Sequence, residues 1–225
     1  VMVVGGLLEK ACDDLRDRVG IGPGEEGHAL VAAIREWHAE NAGQELVGRA
    51  RYEQPEHVEW DDRTYRGDAY GAYAWGAYVA DIEVDLRTFV VHVRDVVAVQ
   101  EIGRVLHDTL ARGQIQGGVV QALGWTLLEE CKWRDGGLEN AQLTNYIIPT
   151  TSDVPPIRVA FLEAPYPHGA GGAKGIGELP FDGVAPAIAN AVASALAADP
   201  VAIPLTPERI MDLLLDPATL AAERS

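Results

Sequence analysis

Apolar residues near the start of the chain recur at the spacing of an amphipathic helix. In residues 5–20 they fall on one helical face, at Leu7, Leu8, Ala11, Leu15 and Val19. Gly20 suits the end of such a helix, because glycine readily adopts the left-handed conformation found there. After the loop IGPGEEG, residues 25–41 repeat the same pattern. The sequence therefore predicts two amphipathic helices at its beginning.

The middle of the chain changes to an alternation of apolar and polar positions. Residues 73–83 and 88–97 are rich in Val, Tyr and Trp and alternate with period two on either side of the turn DLRT. This pattern predicts a β-hairpin. Residues 47–53 form a shorter strand candidate. A second hairpin-like region covers residues 143–165, whose prolines would confine it to the edge of a sheet.

Helical signals return in the second half of the chain. Residues 117–131 are predicted to form a helix that begins in glycines. Asp182 is a suitable N-cap for a helix over residues 183–197. Thr206 would cap a short terminal helix with Pro207 at its first position. Helices and strands are mixed without a repeated β–α–β order, so the predicted fold class is α+β.

Composition and charge limit the class of protein. With 225 residues, of which 48% are hydrophobic and 23% charged, the chain can bury a proper core. Its net charge of −16 argues against a broad surface for nucleic acid or an anionic membrane, since both need clustered Lys and Arg. The longest apolar run, residues 184–198, is too short to span a bilayer. Because the N-terminus also lacks signal-peptide features, we expect a cytoplasmic protein with no nucleic-acid or membrane partner.

The cysteines and the first residues further limit the class of protein. Cys12 and Cys131 show no CxxC and no His/Cys ligand spacing. That excludes an iron–sulfur cluster or a structural zinc site made by this chain alone. They are expected to be two buried free thiols in a reducing compartment. The opening VMVVGG is more typical of a fragment or split subunit than of a natural start, and residues 1–225 are predicted to form a single domain.

A glycine-rich loop, GAGGAKGIGE over residues 169–178, is the first candidate for chemistry. It contains one lysine, Lys174, and ends on one carboxylate, Glu178. Three interpretations are open. The loop could be a flexible surface segment, or its backbone N–H groups and Lys174 could bind an anion. Alternatively, Glu178, held before the apolar LPF and poorly solvated, could be a general base. The loop itself contains neither GxxxxGK[ST] nor GxGxxG, so it supports neither a P-loop nor a dinucleotide fingerprint.

The second candidate is GQIQGG, residues 113–118. A glutamine amide is both donor and acceptor, which suits the amide-like edge of a pterin or a base. A helix N-terminus at this point would add unpaired N–H groups. The alternative is an ordinary helix start with Gln114 exposed.

In order along the chain, these elements resemble the C-terminal part of the molybdenum-binding (large) subunit of the xanthine dehydrogenase/aldehyde oxidase family of molybdenum hydroxylases. The resemblance covers roughly residues 70–212. It is carried by GQIQGGVVQALGWTLLEE, LTNYIIPTTSDVPPIRV, GGAKGIGELPFDGVAPAIANAV and PLTPERI. It implies the C-terminal portion of a molybdopterin-cofactor-binding domain with an α+β fold.

The resemblance implies an activity and roles for six residues. Family members hydroxylate a carbon of an N-heterocycle or an aldehyde with water as the oxygen source. Glu178 matches the glutamate that removes a proton from a hydroxyl on molybdenum, whose oxygen then attacks the substrate carbon. Gln114 matches the glutamine that contacts the pterin, and Lys174, Gly175, Ile176 and Gly177 line the same pocket. The metal is held by the dithiolene of the pterin, so no metal ligands are expected from this chain.

The resemblance also implies partners that lie outside this chain. These are the remaining half of the molybdenum-binding subunit and the domains or subunits that carry [2Fe–2S] clusters and FAD, together with a small-molecule substrate and an oligomeric assembly. The pterin would be molybdopterin or its cytosine dinucleotide, and the isolated chain is expected to be inactive.

One connection departs from the family pattern, and two other functions remain open. Just before GQIQGG the sequence reads QEIGRVLHD, with Glu101, His107 and Asp108 where other residues are commoner. One alternative function is a non-catalytic module of the same fold that binds or scaffolds a pterin cofactor. A weaker alternative is a phosphate-binding protein that uses Lys174.

Overall fold

A computed structural model describes residues 2–25 and 27–215. The chain divides into two compact units. The N-terminal unit comprises residues 1–73 and 165–175, and the sheet unit comprises residues 74–164 and 176–225. A single domain over residues 1–225 stays a prediction.

The N-terminal unit contains the two helices predicted from the first residues. They are α1 (Met2–Arg18) and α2 (His28–Glu40), followed by a ribbon of β1 (Trp60–Asp61) and β2 (Arg66–Gly67). Both predicted helices are confirmed.

The strand predicted at residues 47–53 does not form. Its backbone packs on α1 instead of on a neighbouring strand. A Cβ added at Gly48 would lie 2.1 Å from the carbonyl oxygen of Ala11. Arg49 N donates to Oδ2 of Asp14 at 2.9 Å. The segment therefore follows a helix surface, which its alternating pattern alone did not reveal.

The sheet unit is built on the predicted hairpin. Strands β3 (Trp75–Asp85) and β4 (Val90–Glu101) pair antiparallel from Trp75↔Glu101 to Asp85↔Val90. The turn between them includes Phe89 at a positive φ of 60°. The hairpin prediction is confirmed.

A crossover adds the third strand to this sheet. Helix α3 (Asp108–Leu127) follows β4, and a small ribbon of β5 (Trp133–Arg134) and β6 (Gly137–Leu138) comes next. Strand β7 (Ile157–Leu162) then pairs parallel to β4 at the sheet edge. The edge position is confirmed, but the second hairpin is wrong, because residues 143–156 form turns and irregular backbone. The unit thus contains one β–α–β crossover within an α+β fold, and the predicted class is confirmed.

The core of the sheet unit lies between one face of the sheet and the helices. Helices α4 (Leu179–Asp182), α5 (Val184–Leu196) and α6 (Pro207–Leu215) complete the described residues. Fully buried side chains come from the sheet, α3 and α5: Val96, Ala98, Ile115, Val119, Ile188 and Val192. This packing fixes the positions of α3 and α4, which border the site described below.

The predicted caps have mixed outcomes. Thr206 Oγ1 accepts from Arg209 N at 3.4 Å and Pro207 is the first residue of α6, so that prediction is confirmed. The prediction for Asp182 is wrong. Asp182 is the last residue of α4, and Gly183 occupies the N-cap position of α5 without a side-chain hydrogen bond.

One stretch among the described residues, Leu179–Leu196, has the length and apolar composition of a membrane span. It is longer than the run considered from the sequence, because it includes α4. A core helix of a globular protein passes the same test, and Val184, Ile188, Val192 and Leu196 are buried in the sheet unit. One such stretch is weak evidence for a membrane span, and the absence of a membrane partner stays a prediction.

Both cysteines are free and exposed, so the prediction that they are buried is wrong. Cys12 lies on α1, in which no residue is fully buried. Cys131 lies beyond the end of α3, outside the core of the sheet unit.

Candidate functional site

The sheet unit contains a cleft of about 520 Å³ between α3 and the segment that runs from Gly177 into α4. Nine residues border it: Gly113, Gln114, Gly117, Gly118, Gln121, Gly177, Glu178, Phe181 and Asp182. The cleft therefore joins the GQIQGG element to the end of the glycine-rich loop, the two candidates taken from the sequence.

Helix α3 provides one wall, and it begins earlier than predicted. Its first residue is Asp108, and the ring Nδ1 of the N-cap His107 accepts from Leu110 N at 3.3 Å. GQIQGG consequently lies in the helix interior, where backbone N–H groups are used by the helix itself. The prediction of a helix N-terminus at residue 117, with free N–H groups for a ligand, is wrong. The two adjacent glycines suggested that the helix starts at residue 117, but the side chain that caps α3 is that of His107.

The unusual connection before α3 has a structural role for each of its three residues. Glu101 Oε1 accepts from Gly103 N at 2.7 Å and shapes the turn after β4. His107 caps α3, and Asp108 pairs with Arg112 at 2.7 Å one turn later. The departure from the family pattern therefore lies in the entry to α3, and none of these three residues lines the cleft.

Bare backbone forms much of the cleft surface. A Cβ added at Gly113 or Gly117, one helical turn apart on α3, would meet no atom within 4 Å, and the same holds for Gly177. A glycine inside a helix costs about 1 kcal/mol relative to alanine. Packing does not require glycine at these positions, so their effect is to leave open space against the peptide planes. A flat ligand can lie there.

Gly118 has a different role, because it brings α3 and α4 into contact. A Cβ at this position would lie 2.4 Å from Cγ of Pro180. Pro180 is fully buried. The two walls of the cleft therefore meet at Gly118 and Pro180, and this contact sets their spacing.

Two glutamine amides project from the α3 wall. Gln114 Nε2 donates to the carbonyl of Gly177 at 3.4 Å, so its side chain connects the two walls. Gln121 borders the same cleft about two turns further along. Each amide offers both a donor and an acceptor, which is the hydrogen-bonding chemistry that a pterin edge requires.

Glu178 stands at the N-cap position of α4 and borders the cleft. Its carbonyl accepts from Phe181 N at 2.9 Å, whereas its side chain makes no capping hydrogen bond. The carboxylate is exposed, which differs from the poorly solvated group expected from the sequence. The reason is that LPF turns inward, with Pro180 against Gly118, and does not cover the carboxylate.

Asp182 is a cleft residue that was assigned a different role from the sequence. It lies four residues after Glu178 and borders the same space. That spacing places two carboxylates on one side of a helical turn. It could have indicated that Asp182 belongs to the site, but the sequence interpretation treated Asp182 as an N-cap. The bordering residues contain two carboxylates and neither Lys nor Arg, so the cleft does not suit a phosphate.

The remaining predicted pocket residues lie apart from the cleft lining. Lys174 and Gly175 belong to the N-terminal unit, where the half-buried Lys174 donates from Nζ to the carbonyl of Tyr73 at 2.7 Å. Ile176 belongs to the sheet unit and is half-buried. Of the six predicted residues, Gln114, Gly177 and Glu178 come together. The functional roles of all six stay predictions.

Within residues 2–25 and 27–215, no three His, Cys, Asp or Glu side chains form a group that could hold a metal ion. A cleft of about 520 Å³ lies within the typical ligand-pocket range of about 300–1,000 Å³. Its glycine surface and glutamine amides are compatible with a flat ligand that forms hydrogen bonds at its edge.

Comparison with known proteins agrees with this chemistry. The sequence profile of the molybdopterin cofactor-binding domain family matches residues 2–155. The xanthine dehydrogenase molybdenum-binding subunit of Escherichia coli O157:H7 is 36% identical over 141 residues, which are 62% of this chain and 19% of that protein.

Solved structures extend the similarity. Quinoline 2-oxidoreductase from Pseudomonas putida 86 is 39% identical, with a TM-score of 0.60 over 64% of this chain and 19% of that chain. The aldehyde oxidoreductase from Desulfovibrio desulfuricans is 25% identical, with a TM-score of 0.78 over 93% of this chain and 22% of that chain. The chain thus spans about a fifth of the length of these relatives. The predicted resemblance is confirmed: this chain belongs to the molybdopterin cofactor-binding domain family found in xanthine dehydrogenase-like molybdenum enzymes.

Proposed function

We propose that this chain supplies the general base and one part of the pterin pocket of a molybdenum hydroxylase. The observation that carries the proposal is that Glu178 borders the same glycine-lined cleft as Gln114, whose amide donates to the neighbouring Gly177 carbonyl. A base and a set of ligand-binding amides thereby share one space. A module that only stored a pterin would need the amides and the glycines but no carboxylate at this point.

The pterin would lie against the bare backbone at Gly113 and Gly117, where no side chain intervenes. The Gln114 amide donates one N–H to Gly177, so its oxygen and its second N–H would be available to the ligand. Gln121 supplies a second amide on the same wall. When bound, the molybdenum cofactor supplies the oxidising centre and the water-derived oxygen that enters the product.

Glu178 would accept a proton from that water-derived hydroxyl at one of its carboxylate oxygens. Its carbonyl is fixed by the hydrogen bond from Phe181 N at 2.9 Å, so the backbone that carries the side chain is held in place. The carboxylate itself makes no capping bond and is available to a reacting group. In the assembled enzyme, exclusion of water from Glu178 would come from the remaining half of the subunit, because the described residues leave it exposed.

The proposed substrate class is supported by the relatives, which include a xanthine dehydrogenase, a quinoline 2-oxidoreductase and an aldehyde oxidoreductase. We therefore assign this chain to hydroxylation of a carbon in an N-heterocycle or an aldehyde.

The partners proposed are the rest of the molybdenum-binding subunit and the domains or subunits that carry [2Fe–2S] clusters and FAD. Cytoplasmic location and assembly into an oligomer are part of the same proposal. The chain corresponds to about a fifth of the length of its relatives.

The decisive experiment compares Glu178→Gln with Asp182→Asn in the assembled enzyme. Glu178→Gln keeps the size of the side chain but cannot accept the proton, so reduction of the metal by substrate should slow at least about a hundredfold. Molybdenum content should stay near normal. Asp182→Asn removes a carboxylate from the same cleft but not the base, and should slow the step far less.

Two results would contradict the proposal. If Glu178→Gln reduced its metal at the original rate, the residue would serve only the turn into α4, and the chain would be a pterin-binding module without a base. If Asp182→Asn alone abolished the reaction, the base would be misassigned.

A further inference from the structure

The hydroxyl of Tyr78 is bonded to the backbone immediately after Glu178. Tyr78 lies in the middle of β3 and is half-buried, and its hydroxyl donates to the carbonyl of Leu179 at 2.8 Å. In a four-residue helix this carbonyl belongs to the last turn, whose acceptors find no partner inside the helix. The tyrosine therefore supplies the hydrogen bond that α4 cannot make for itself.

The ring of Tyr78 also contacts the other end of α4. A Cβ added at Gly183, the residue after α4, would lie 2.1 Å from Cδ2 of the ring. Only glycine allows this approach between the ring and the backbone. One side chain consequently contacts both ends of the short helix, at Leu179 through the hydroxyl and at Gly183 through the ring.

A second contact also limits movement of α4. Pro180 sits against Gly118 of α3, at a separation that leaves no room for a methyl group. Helix α4 thus contacts both α3 and Tyr78. Loss of the Tyr78 bond would remove one of the two supports and leave the other.

The surroundings of Tyr78 hold its hydroxyl in place as a donor. Gln100 is fully buried beside it, and a Cβ at Gly76 would meet both the Gln100 oxygen at 2.8 Å and Tyr78 Cε2 at 3.3 Å. Burial raises the pKa of Tyr78, the nearby Gln100 amide lowers it, and the charge of Asp182 raises it, with a net increase. A phenol normally ionises near pH 10, so this hydroxyl remains a donor throughout the neutral range.

We propose that Tyr78 is a positioning residue for the base: by holding the Leu179 carbonyl and the backbone at Gly183, it fixes the direction in which Glu178 presents its carboxylate to the cleft. This inference rests on the proposed function of Glu178. Tyr78 itself acts through the backbone and not on the substrate. A misplacement of about 1 Å at a catalytic group can cost up to about a hundredfold in rate.

The first test needs no cofactor. In the protein without cofactor, the amide of Phe181 is protected by its bond to the Glu178 carbonyl, so its hydrogen exchange reports local opening of α4. Tyr78→Phe keeps the ring and removes only the hydroxyl, and should accelerate this exchange at least about tenfold while the amides of α3 and α5 are unchanged.

Tyr166→Phe is the matched control. Tyr166 also donates from its hydroxyl to a backbone carbonyl, that of Gly71, at the same 2.8 Å, but in the N-terminal unit. It should leave Phe181 exchange unchanged. Gly183→Ala is the second variant, because its methyl group would displace the ring while retaining the hydroxyl. Should Tyr78→Phe fail to fold, faster Phe181 exchange in Gly183→Ala would support the inference and unchanged exchange would overturn it.

The second test is a double-mutant cycle in the assembled enzyme. Tyr78→Phe alone should slow metal reduction by substrate between about tenfold and a hundredfold, with molybdenum content retained. In a Glu178→Gln background the same change should have little further effect, because the group being positioned is already inactive. A general loss of stability would slow both backgrounds equally.

The outcomes separate the two proposals. A slow Glu178→Gln enzyme together with a fully active Tyr78→Phe enzyme would overturn the role of Tyr78 and leave the base intact. A fully active Glu178→Gln enzyme would overturn both. Equal slowing in both backgrounds would also reject positioning, since Tyr78 would then act independently of Glu178.

Discussion

Gln114 donates from Nε2 to the carbonyl of Gly177 across the cleft, at 3.4 Å. The bond links helix α3 to the backbone next to Glu178, and it does not use the amide oxygen. The nearby Gln116 offers a comparison, because its Nε2 donates at 3.5 Å to the carbonyl of Ile157 on β7 and does not border the cleft.

We predict that Gln114→Leu lowers the cofactor content of the assembled enzyme by about tenfold, as expected for loss of one good hydrogen bond to a buried ligand. Gln116→Leu should leave it near normal, although both variants lose an amide from the same helix. Molybdenum and pterin per chain are the quantities to measure. Equal loss in the two variants would mean that the effect comes from α3 stability and not from ligand contact.

Two adjacent glycines on α3 should respond to alanine with opposite signs. At Gly117 a new methyl group meets no atom within 4 Å, so the free energy of unfolding of the isolated chain should rise by up to about 1 kcal/mol. At Gly118 the same methyl group would lie 2.4 Å from Pro180, and unfolding should become easier by about 1–3 kcal/mol. Denaturant titration of both variants measures this difference.

The Gly117→Ala variant also distinguishes an effect on stability from an effect on ligand binding. Gly117→Ala should lose cofactor in the assembled enzyme despite its more stable helix, because the methyl group enters the cleft. A stabilised Gly117→Ala variant with full cofactor content would show that the open backbone does not receive the ligand.

Lys174 is predicted to support cofactor retention and not the chemical step. Its Nζ donates to the Tyr73 carbonyl at 2.7 Å, which anchors the part of the glycine-rich loop that belongs to the N-terminal unit, residues 169–175. Lys174→Ala should therefore lower cofactor content, while the enzyme that still carries cofactor keeps its rate per molybdenum. Full occupancy combined with lost turnover would assign the lysine to chemistry instead.

Tyr146 gives a prediction about alkaline stability. Its hydroxyl donates to Oε2 of Glu129 at 2.7 Å, and this bond, with lesser contributions from burial and nearby charge, raises the pKa of Tyr146 from 10.0 to about 12. A pKa raised by folding contributes stability that is fully present below the unfolded pKa and is lost as the pH rises through the folded one. The chain should therefore lose stability between about pH 10 and pH 12.

Tyr146→Phe removes this titration, so its melting temperature should fall less steeply than that of the unmodified chain across that interval. The measurement is the difference in melting temperature between the two proteins at each pH. Parallel curves would show that the Tyr146–Glu129 bond does not contribute.

Local patterns predicted the elements that rest on local physics. The β3–β4 hairpin follows from alternation on either side of a turn, and the Thr206 cap follows from side-chain chemistry at a helix start. Elements fixed by distant contacts were missed. The parallel pairing of β7 with β4 depends on a crossover through α3, and residues 47–53 pack on a helix surface that their own sequence does not encode.

For the candidate site, too, some residues could be predicted from the sequence and others could not. Glu178 and Gln114 could be singled out because an ordered series of motifs resembled one family. Asp182 was misassigned because an aspartate before an apolar helix is often a cap, whereas α5 begins one residue later, with Gly183 at its N-cap position and packed against Tyr78. The exposure of Glu178 was also missed. It depends on the direction of the LPF segment, which is set by the packing of the buried Pro180 against Gly118.

The bare peptide surface at Gly113 and Gly117 has a consequence for redesign. Every residue other than glycine adds atoms there, so mutation can only make this part of the cleft smaller and cannot exchange one side-chain preference for another. A change in ligand selectivity therefore requires substitutions at other residues that border the cleft. Gln121, Phe181 and Asp182 carry side chains that can be replaced. A library confined to those three positions would vary the side chains of the cleft while keeping its glycine surface unchanged.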